Sequence, residues 1–494
     1  MYKRSILFLS TFLLSNISLY AFDSIETEVH HIVKSSIKSN GIVVHSQEQV
    51  KTDKFLEIFT EGNFYGRLRN NNFLFTTYSG LPQNTQTAIS AIGISLVYKS
   101  ANYYGFDMTA GGYLTQSFFD EDNLLSLAVK GKDTFSRYNY VNDNDTYMAV
   151  IGQLNLGYSF AQSKVVLGRQ LLETFYTRSN DTKMIPNAFD GISIQSKDIP
   201  DTAFTLAYLQ KQKLRDHTSS HSILLYGDEN ATSSRLPTSS QNDDSVMHRG
   251  LTYTALKAAG KPTDSPLIVL DAQNKSLENL KINFASYIVP ELLSQVMGEL
   301  NYKINFDGFS ITPAFRYLQQ FDNGAGKVGG ASLRAARGTA GYTNPDSLDG
   351  KMIAARVITK FSDYKINLAY TGILDEGDLV TPWRGFPTSG YTRSMGIYNW
   401  RANTDSYRIE LVKGATDTGV YTTPFIQTSI LYMQTDEDKL ILDDSMFYYF
   451  GLVQNIPAFP EFQYRFRLGY RDFIQASYQV PDYLDSRLEF NYLF

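Results

Sequence analysis

An alternation of apolar and polar residues runs along most of this chain and is clearest near its C-terminus. At residues 464–471, the even positions are Tyr, Phe or Leu and the odd positions are Arg or Gly. A β-strand points successive side chains to opposite faces, so this segment has one apolar and one polar face. Strands of this kind occur in soluble sandwiches and in membrane barrels, so the period alone leaves both open.

The two ends of the chain favour a barrel in a membrane. The chain stops on Phe494 at the end of an alternating strand, a pattern typical of strands that the barrel-assembly machinery recognises. Residues 1–21 contain Lys3 and Arg4, then an apolar run, and end on Ala21. This predicts a removable signal peptide, because the run is too short to span a bilayer. We therefore expect an all-β chain that forms a transmembrane antiparallel barrel in a Gram-negative outer membrane, in contact with lipid and lipopolysaccharide.

Strand signals divide residues 63–494 into segments joined alternately by short turns and longer polar loops. Eighteen segments fit, at residues 63–75, 93–100, 104–116, 149–160, 164–171, 189–197, 202–211, 266–273, 280–288, 293–304, 310–319, 351–360, 364–372, 406–413, 424–434, 446–454, 462–473 and 485–494. An even number of strands is what a single-chain bacterial barrel requires if both chain termini are periplasmic. A closed barrel of about 16 to 18 strands leaves an aqueous channel.

Residues 22–62 are polar and precede the first strand. We predict a periplasmic extension here, with a short helix at about residues 52–60. A segment that enters the barrel and narrows it is the alternative, and the sequence leaves both open.

Composition supports the membrane barrel and excludes several other classes. The chain has 34 Tyr and 32 Phe against 2 Trp, which suits aromatic belts at the two membrane interfaces. With 0 Cys it has no disulfide framework and no thiol nucleophile. A formal net charge of -5 does not indicate a nucleic-acid partner. No motif places a nucleophile beside a base, so we predict no enzyme, no catalytic residue, no metal and no cofactor.

If the apolar face of each strand meets lipid, the lumen receives a set of basic side chains. A charge on the lipid face at mid-membrane costs about 2–4 kcal/mol, which favours this assignment. The predicted pore-lining basic ladder consists of Arg67, Arg69, Arg316, Arg356, Arg408, Arg465, Arg467 and Arg471. The first strand must abut the last, so we expect one basic patch from the first and seventeenth strands. Pairing of these arginines with acidic loop residues such as Glu376 and Asp378 is the alternative to solute guidance.

The segment KMIPNAFDG at residues 183–191, which follows VLGR at 166–169 and leads to KLRD at 213–216, resembles the third-loop region of OprD-type outer-membrane porins. The resemblance extends in rhythm from about residue 55 to 494. It implies an eighteen-stranded barrel whose lumen is narrowed by inward-folded loops. By that analogy loops 176–186 and 375–403 form the constriction. The constriction-loop residues implied are Tyr176, Arg178, Lys183, Pro186, Arg384 and Arg393.

The sequence therefore predicts passive diffusion of small hydrophilic solutes. The arginine ladder favours carboxylate-bearing solutes such as amino acids or organic acids, because guanidinium groups bind carboxylates in a bidentate geometry. A monomer and a trimer are both compatible with the sequence. The alternative function is a surface adhesin that binds through long outer loops such as residues 212–265.

Overall fold

Eighteen antiparallel strands close into a barrel in this computed structural model, which confirms the predicted fold class. The structure describes residues 34–78, 85–119, 132–136, 139–140, 143–224, 250–333, 338–439, 444–474 and 481–494. The signal peptide predicted at residues 1–21 lies outside these ranges. No helix within them is long and apolar enough to span a bilayer.

The barrel strands are numbered in chain order. They are β1 Asn63–Tyr78, β2 Thr85–Lys99, β3 Phe106–Phe119, β4 Tyr147–Phe160, β5 Ser163–Gln170, β6 Ala188–Ser196, β7 Thr202–Lys213, β8 Leu267–Asn274, β9 Leu280–Val289, β10 Leu293–Tyr302, β11 Phe309–Asp322, β12 Gly350–Phe361, β13 Tyr364–Ile373, β14 Thr404–Lys413, β15 Phe425–Gln434, β16 Ser445–Ile456, β17 Phe459–Phe473 and β18 Asp482–Leu493. Each of the eighteen predicted segments overlaps one of them. The largest error is at β2, which begins at Thr85 rather than at residue 93, because its first residues are small and polar.

Four short strands, Lys51–Thr52, Asn102–Tyr103, His221–Ser222 and Ile304–Phe306, extend the barrel sheet, and the first two pair with each other in parallel. The other short elements lie outside the barrel wall. A two-stranded hairpin, Ser35–Ile37 with Val43–His45, precedes the wall. The predicted helix at 52–60 is mostly wrong, since only α1, Glu57–Thr60, is helical. The helices α2, Tyr253–Ala258, and α3, Gly326–Gly329, lie in loops between strands.

The barrel closes because its last strand pairs with its first. The register runs from Asp482 opposite Tyr78 to Leu493 opposite Arg67. Beyond it, the amide of Phe494 donates to the carbonyl oxygen of Gly66 at 3.2 Å, and the amide of Gly66 donates back at 2.9 Å. Closure satisfies the strand edges, which lipid cannot hydrogen-bond.

The outer surface of the barrel is apolar and ringed by aromatic side chains. At the end that carries Phe494, the rings of Phe64 and Tyr98 lie 4.8 Å apart. At the opposite end, the rings of Tyr370 and Tyr407 lie 5.2 Å apart. Such belts mark the two interfaces of a membrane. The end with Phe494 has the shorter turns, so we call it the periplasmic end and the other the outer end.

A second apolar core lies inside the barrel, near the outer end of β6 to β13. Here inward-facing residues of the wall, such as Tyr287 and Met352, pack against Trp383 and Trp400 from the loop between β13 and β14. The strands at this position are therefore apolar on both faces. This core fixes the outer loops within the lumen.

Candidate functional site

Two outer loops, 171–187 and 374–403, fold into the lumen and meet there. The amide of Arg178 donates to the carbonyl oxygen of Trp383 at 2.9 Å, and the amide of Gly385 donates to that of Tyr176 at 3.0 Å. A side chain at Gly385 would overlap the backbone of residue 175. The two loops therefore form a short antiparallel contact that narrows the channel.

The loops are held inward by buried aromatic residues. Some of their polar groups are hydrogen-bonded, whereas Trp400 Nε1 and the Tyr176 hydroxyl have no hydrogen-bond partner among the described residues. Trp383 is fully buried, and its indole nitrogen donates to the carbonyl oxygen of Ile223 at 3.1 Å. The Tyr287 hydroxyl donates to the carbonyl oxygen of Val380 at 2.7 Å. Burial of several such aromatic side chains stabilises the inward position, because each removes a large apolar surface from water.

The wall opposite this core is basic. Four arginines from β1 and β17, which we call the basic wall, surround Glu489 of β18: Arg67, Arg69, Arg465 and Arg467. The Glu489 carboxylate lies 3.0 Å from Arg69 and 3.4 Å from Arg467. It lies 4.0 Å from Arg465. The structure thus brings together the four arginines that the sequence assigned to one patch.

A second carboxylate reaches the basic wall from a loop. Asp181 of loop 171–187 lies 2.7 Å from Nη1 of Arg69 and also pairs with Arg67. Four guanidinium groups thus meet two carboxylates, and positive charge remains in excess. Within the described residues, Nε and Nη1 of Arg465 have no hydrogen-bond partner.

A second basic cluster lies on β11 and β12. Arg316 and Arg356 both contact Glu299 of β10, and the guanidinium carbons lie 4.4 Å and 4.5 Å from the ring centre of Tyr391. Arg316 also donates to the carbonyl oxygen of Pro387 at 2.7 Å. These two arginines anchor loop 374–403 as well as lining the wall.

Among the described residues, Arg408 and Arg471 share no carboxylate with either cluster, although Arg408 contacts Tyr391 of the second one. Arg408 pairs with Glu410 on its own strand and donates to the carbonyl oxygen of Tyr391 at 3.1 Å. Arg471 donates to Ser445 Oγ at 3.0 Å and lies over the ring of Phe473. The ladder is therefore a set of local groups rather than one continuous row.

The constriction-loop residues have different surroundings. Arg178 is half-exposed and lies 3.4 Å from Glu173, whereas Lys183 is buried with its ammonium 4.4 Å from the ring centre of Phe73. Arg393 lies over the ring of Phe386. Tyr176, Pro186 and Arg384 are buried.

The acidic partners suggested for the arginines are not the ones observed. Glu376 pairs with Lys351, and Asp378 accepts hydrogen bonds from Tyr342 and two backbone amides. The carboxylates that contact the basic clusters are instead Asp181, Glu299, Glu410 and Glu489.

Sequence reasoning missed one ion-pair group beside the basic wall. Asp485 of β18 lies 2.6 Å from Arg487 and 3.1 Å from Lys132, which reaches it from the β3–β4 loop. The lumen parity of β18 could have identified Asp485 and Arg487, whereas Lys132 lies in a segment without periodicity. In the described part of the chain, no group of three or more His, Asp or Glu side chains is placed to hold a metal ion.

Comparison with known proteins shows which family and which solved structures the chain is similar to. The protein-family model described as outer membrane porin, OprD family, matches residues 129–260 of this chain. Pseudomonas aeruginosa OccK8 (OprE) has a similar structure, with a TM-score of 0.65 at 14% identity over 88% of this chain and 99% of that chain. The structure of OpdK from the same organism, determined with vanillate, has a TM-score of 0.63 at 12% identity, over 87% of this chain and 98% of that chain. The structure of Acinetobacter baumannii OccAB3 has a TM-score of 0.62 at 15% identity, over 87% of this chain and 99% of that chain.

No curated protein sequence matches the chain. The family match confirms the resemblance to OprD-type porins, and the structural similarities confirm the fold. The chain is therefore similar to OprD-family outer-membrane porins over residues 129–260 and has the barrel fold of these solved structures.

Proposed function

We propose that this protein is a porin in the outer membrane of a Gram-negative bacterium, and that it favours small solutes that carry a carboxylate and pass along the basic wall. The observation that carries the proposal is the excess of guanidinium groups over carboxylates around Glu489. Arginine stays charged at all physiological pH values and binds carboxylates through paired N–H donors.

Transport is passive and binding along the wall is weak. A solute that enters from the outer end passes the contact between loops 171–187 and 374–403 and then reaches the arginines. Because Glu489 and Asp181 already engage several of the guanidinium donors, a solute carboxylate exchanges with these internal partners instead of binding tightly. Weak binding at several places permits both entry and release. A similar barrel was determined with vanillate, a carboxylate, which agrees with this solute class.

A matched pair of solutes tests the proposal. Benzoate and benzamide have nearly the same size and shape but differ in charge, so their fluxes into liposomes that contain the mature protein isolate the effect of the carboxylate. We expect faster uptake of benzoate at low ionic strength, and a smaller difference in high salt because screening weakens the field of the arginines. Equal fluxes at low ionic strength would refute the carboxylate preference and leave a non-selective pore.

A further inference from the structure

The hairpin at residues 34–45 is not part of the barrel wall, but it forms hydrogen bonds with the wall and with one of its turns. Its strands pair from Ser35 opposite His45 to Ile37 opposite Val43. The turn between them is closed by a hydrogen bond from the Gly41 amide to the Lys38 carbonyl oxygen at 2.8 Å. Gly41 has a φ of +82°, which favours glycine at this position.

The tip of the hairpin touches the basic wall and the inward loop together. Nη1 of Arg67 donates to the Gly41 carbonyl oxygen at 2.8 Å, while the same guanidinium pairs with Asp181. Asn40 donates to Glu173 of loop 171–187 at 2.7 Å. A Cβ at Gly41 would overlap the backbone of Asp181. Arg67 and Asp181 are both buried in this contact. The tip therefore lies inside the lumen, where the loop from the outer end reaches the wall.

The other side of the hairpin contacts the turn 414–424, which joins β14 to β15 and is longer than most periplasmic turns. Lys38 donates to the carbonyl oxygen of Asp417 at 2.8 Å. A Cβ built on Gly419 would lie 3.4 Å from the Cβ of Ser36. The turn itself folds over the wall, since the amide of Tyr421 donates to Asn455 Oδ1 at 2.8 Å.

These two attachments define the path of the hairpin. One is on β1 and the other lies between β14 and β15, so the hairpin crosses the periplasmic end beneath β15 to β18. Those strands include β17 and β18, which carry Arg465, Arg467 and Glu489. A solute that leaves the basic wall towards the periplasm must pass this crossing.

We propose that the hairpin 34–45 and the turn 414–424 form a second, periplasmic constriction that controls exit from the basic wall. This proposal deepens the proposed porin function and rests on it. Arg67 links the two constrictions, because its side chain contacts the hairpin and loop 171–187 at once. The alternative predicted from the sequence, a segment that enters the barrel and narrows it, is thus the one we adopt.

Conductance of the mature protein in planar bilayers tests the constriction. A variant that lacks residues 34–45 should have a larger single-channel conductance than the unmodified protein. Gly41→Ala should give a smaller change in the same direction, because it displaces the tip from Asp181 without removing the hairpin. Ser39→Ala is the matched control on the same turn, since Ser39 is exposed, and its step should equal that of the unmodified protein.

A disulfide tests the position independently. The chain has 0 Cys, so cysteines placed at Ser36 and Gly419 are the only thiols. A Cβ at Gly419 would lie 2.8 Å from the Ile37 carbonyl oxygen and 3.4 Å from the Cβ of Ser36, so a small shift of the turn away from the hairpin brings the pair into the roughly 3.5–4.5 Å that a disulfide spans. We expect the double variant to form the bond in isolated outer membranes on mild oxidation, as a mobility shift that reductant reverses. Gly419→Cys alone controls for strain at that glycine.

Each outcome decides between the proposals. If the deletion variant conducts as the unmodified protein does, or if both thiols are reactive but never bond, the periplasmic constriction is overturned and the porin function stands. If neither protein conducts after correct insertion, the porin function fails and the constriction fails with it. A larger step in the deletion variant together with a formed disulfide supports both.

Discussion

Two substitutions in the basic wall change the charge of the lumen at one place in opposite directions. Glu489→Gln removes the carboxylate that Arg69, Arg465 and Arg467 share, and Arg465→Gln removes the guanidinium with unused donors. Glutamine is uncharged and close to glutamate in shape. We expect Glu489→Gln to increase anion preference and Arg465→Gln to reduce it.

The size of the effect follows from Coulomb's law. A unit charge roughly 5 Å from a solute in a water-filled lumen contributes about 0.8 kcal/mol, since water screens the field. That energy corresponds to about a four-fold change in the local concentration of an anion, because about 1.4 kcal/mol is a factor of ten. The shift should shrink in high salt, where the screening length falls to about 3 Å at 1 M.

The two variants should also differ in stability. Glu489 is buried and has a close partner in Arg69, and removing one member of a buried pair costs about 3–5 kcal/mol. Arg465 lies 4.0 Å from Glu489 and should cost much less. The assay is the reversal potential of single channels under a KCl gradient, after heat-modified gel mobility has shown that each barrel is folded. Shifts in the same direction, or no shift in either variant at low salt, would refute the lumen role of this cluster.

Three further predictions concern the loops and the hairpin. Asp378→Asn places an amide donor where the buried carboxylate accepts hydrogen bonds from two backbone amides. The packing of outer loops 323–349 and 374–403 should lose about 1–3 kcal/mol of stability. We expect faster proteolysis from the outside, while the heat stability of the barrel is unchanged. An unchanged cleavage rate would contradict this. Gly385→Ala should separate the two inward loops and give a noisier, larger conductance, whereas a normal trace would show that the contact does not narrow the pore. Burial, with help from Lys34 and Lys99, lowers the pKa of His45, so the released hairpin takes up a proton more readily than the docked one. Docking should therefore weaken as the pH falls below about 6.5, and conductance should rise. His45→Gln should lack this pH step, and an identical profile in that variant would exclude His45.

The barrel was predictable because each of its strands has a repeating sequence pattern. Each strand must present apolar residues to lipid and polar residues to water. The alternation of apolar and polar residues at 464–471 therefore indicates a barrel strand. Strand edges need partners in a membrane, which requires closure of the sheet. The grouping of Arg67 and Arg69 with Arg465 and Arg467 followed from closure alone.

The partners of these arginines were not predictable in the same way. Asp181 reaches the wall because loop 171–187 crosses the lumen, and loop paths carry no period. One signal was present: Leu267 to Leu270 are apolar at every position, so this strand must be buried on its inner face too. That pattern indicated that loops fill part of the lumen on this side. Nothing comparable marks the turn 414–424, whose inward fold depends on single contacts such as that of Tyr421 with Asn455.

We propose that the lumen selects anionic carboxylates through its arginines. Single-channel recording of the unmodified mature protein at low ionic strength, under a KCl gradient, would show this selectivity. We predict discrete steps, a reversal potential that favours chloride, and brief interruptions of current when benzoate but not benzamide is added. A reversal potential that favours potassium, with no response to benzoate, would contradict the claim.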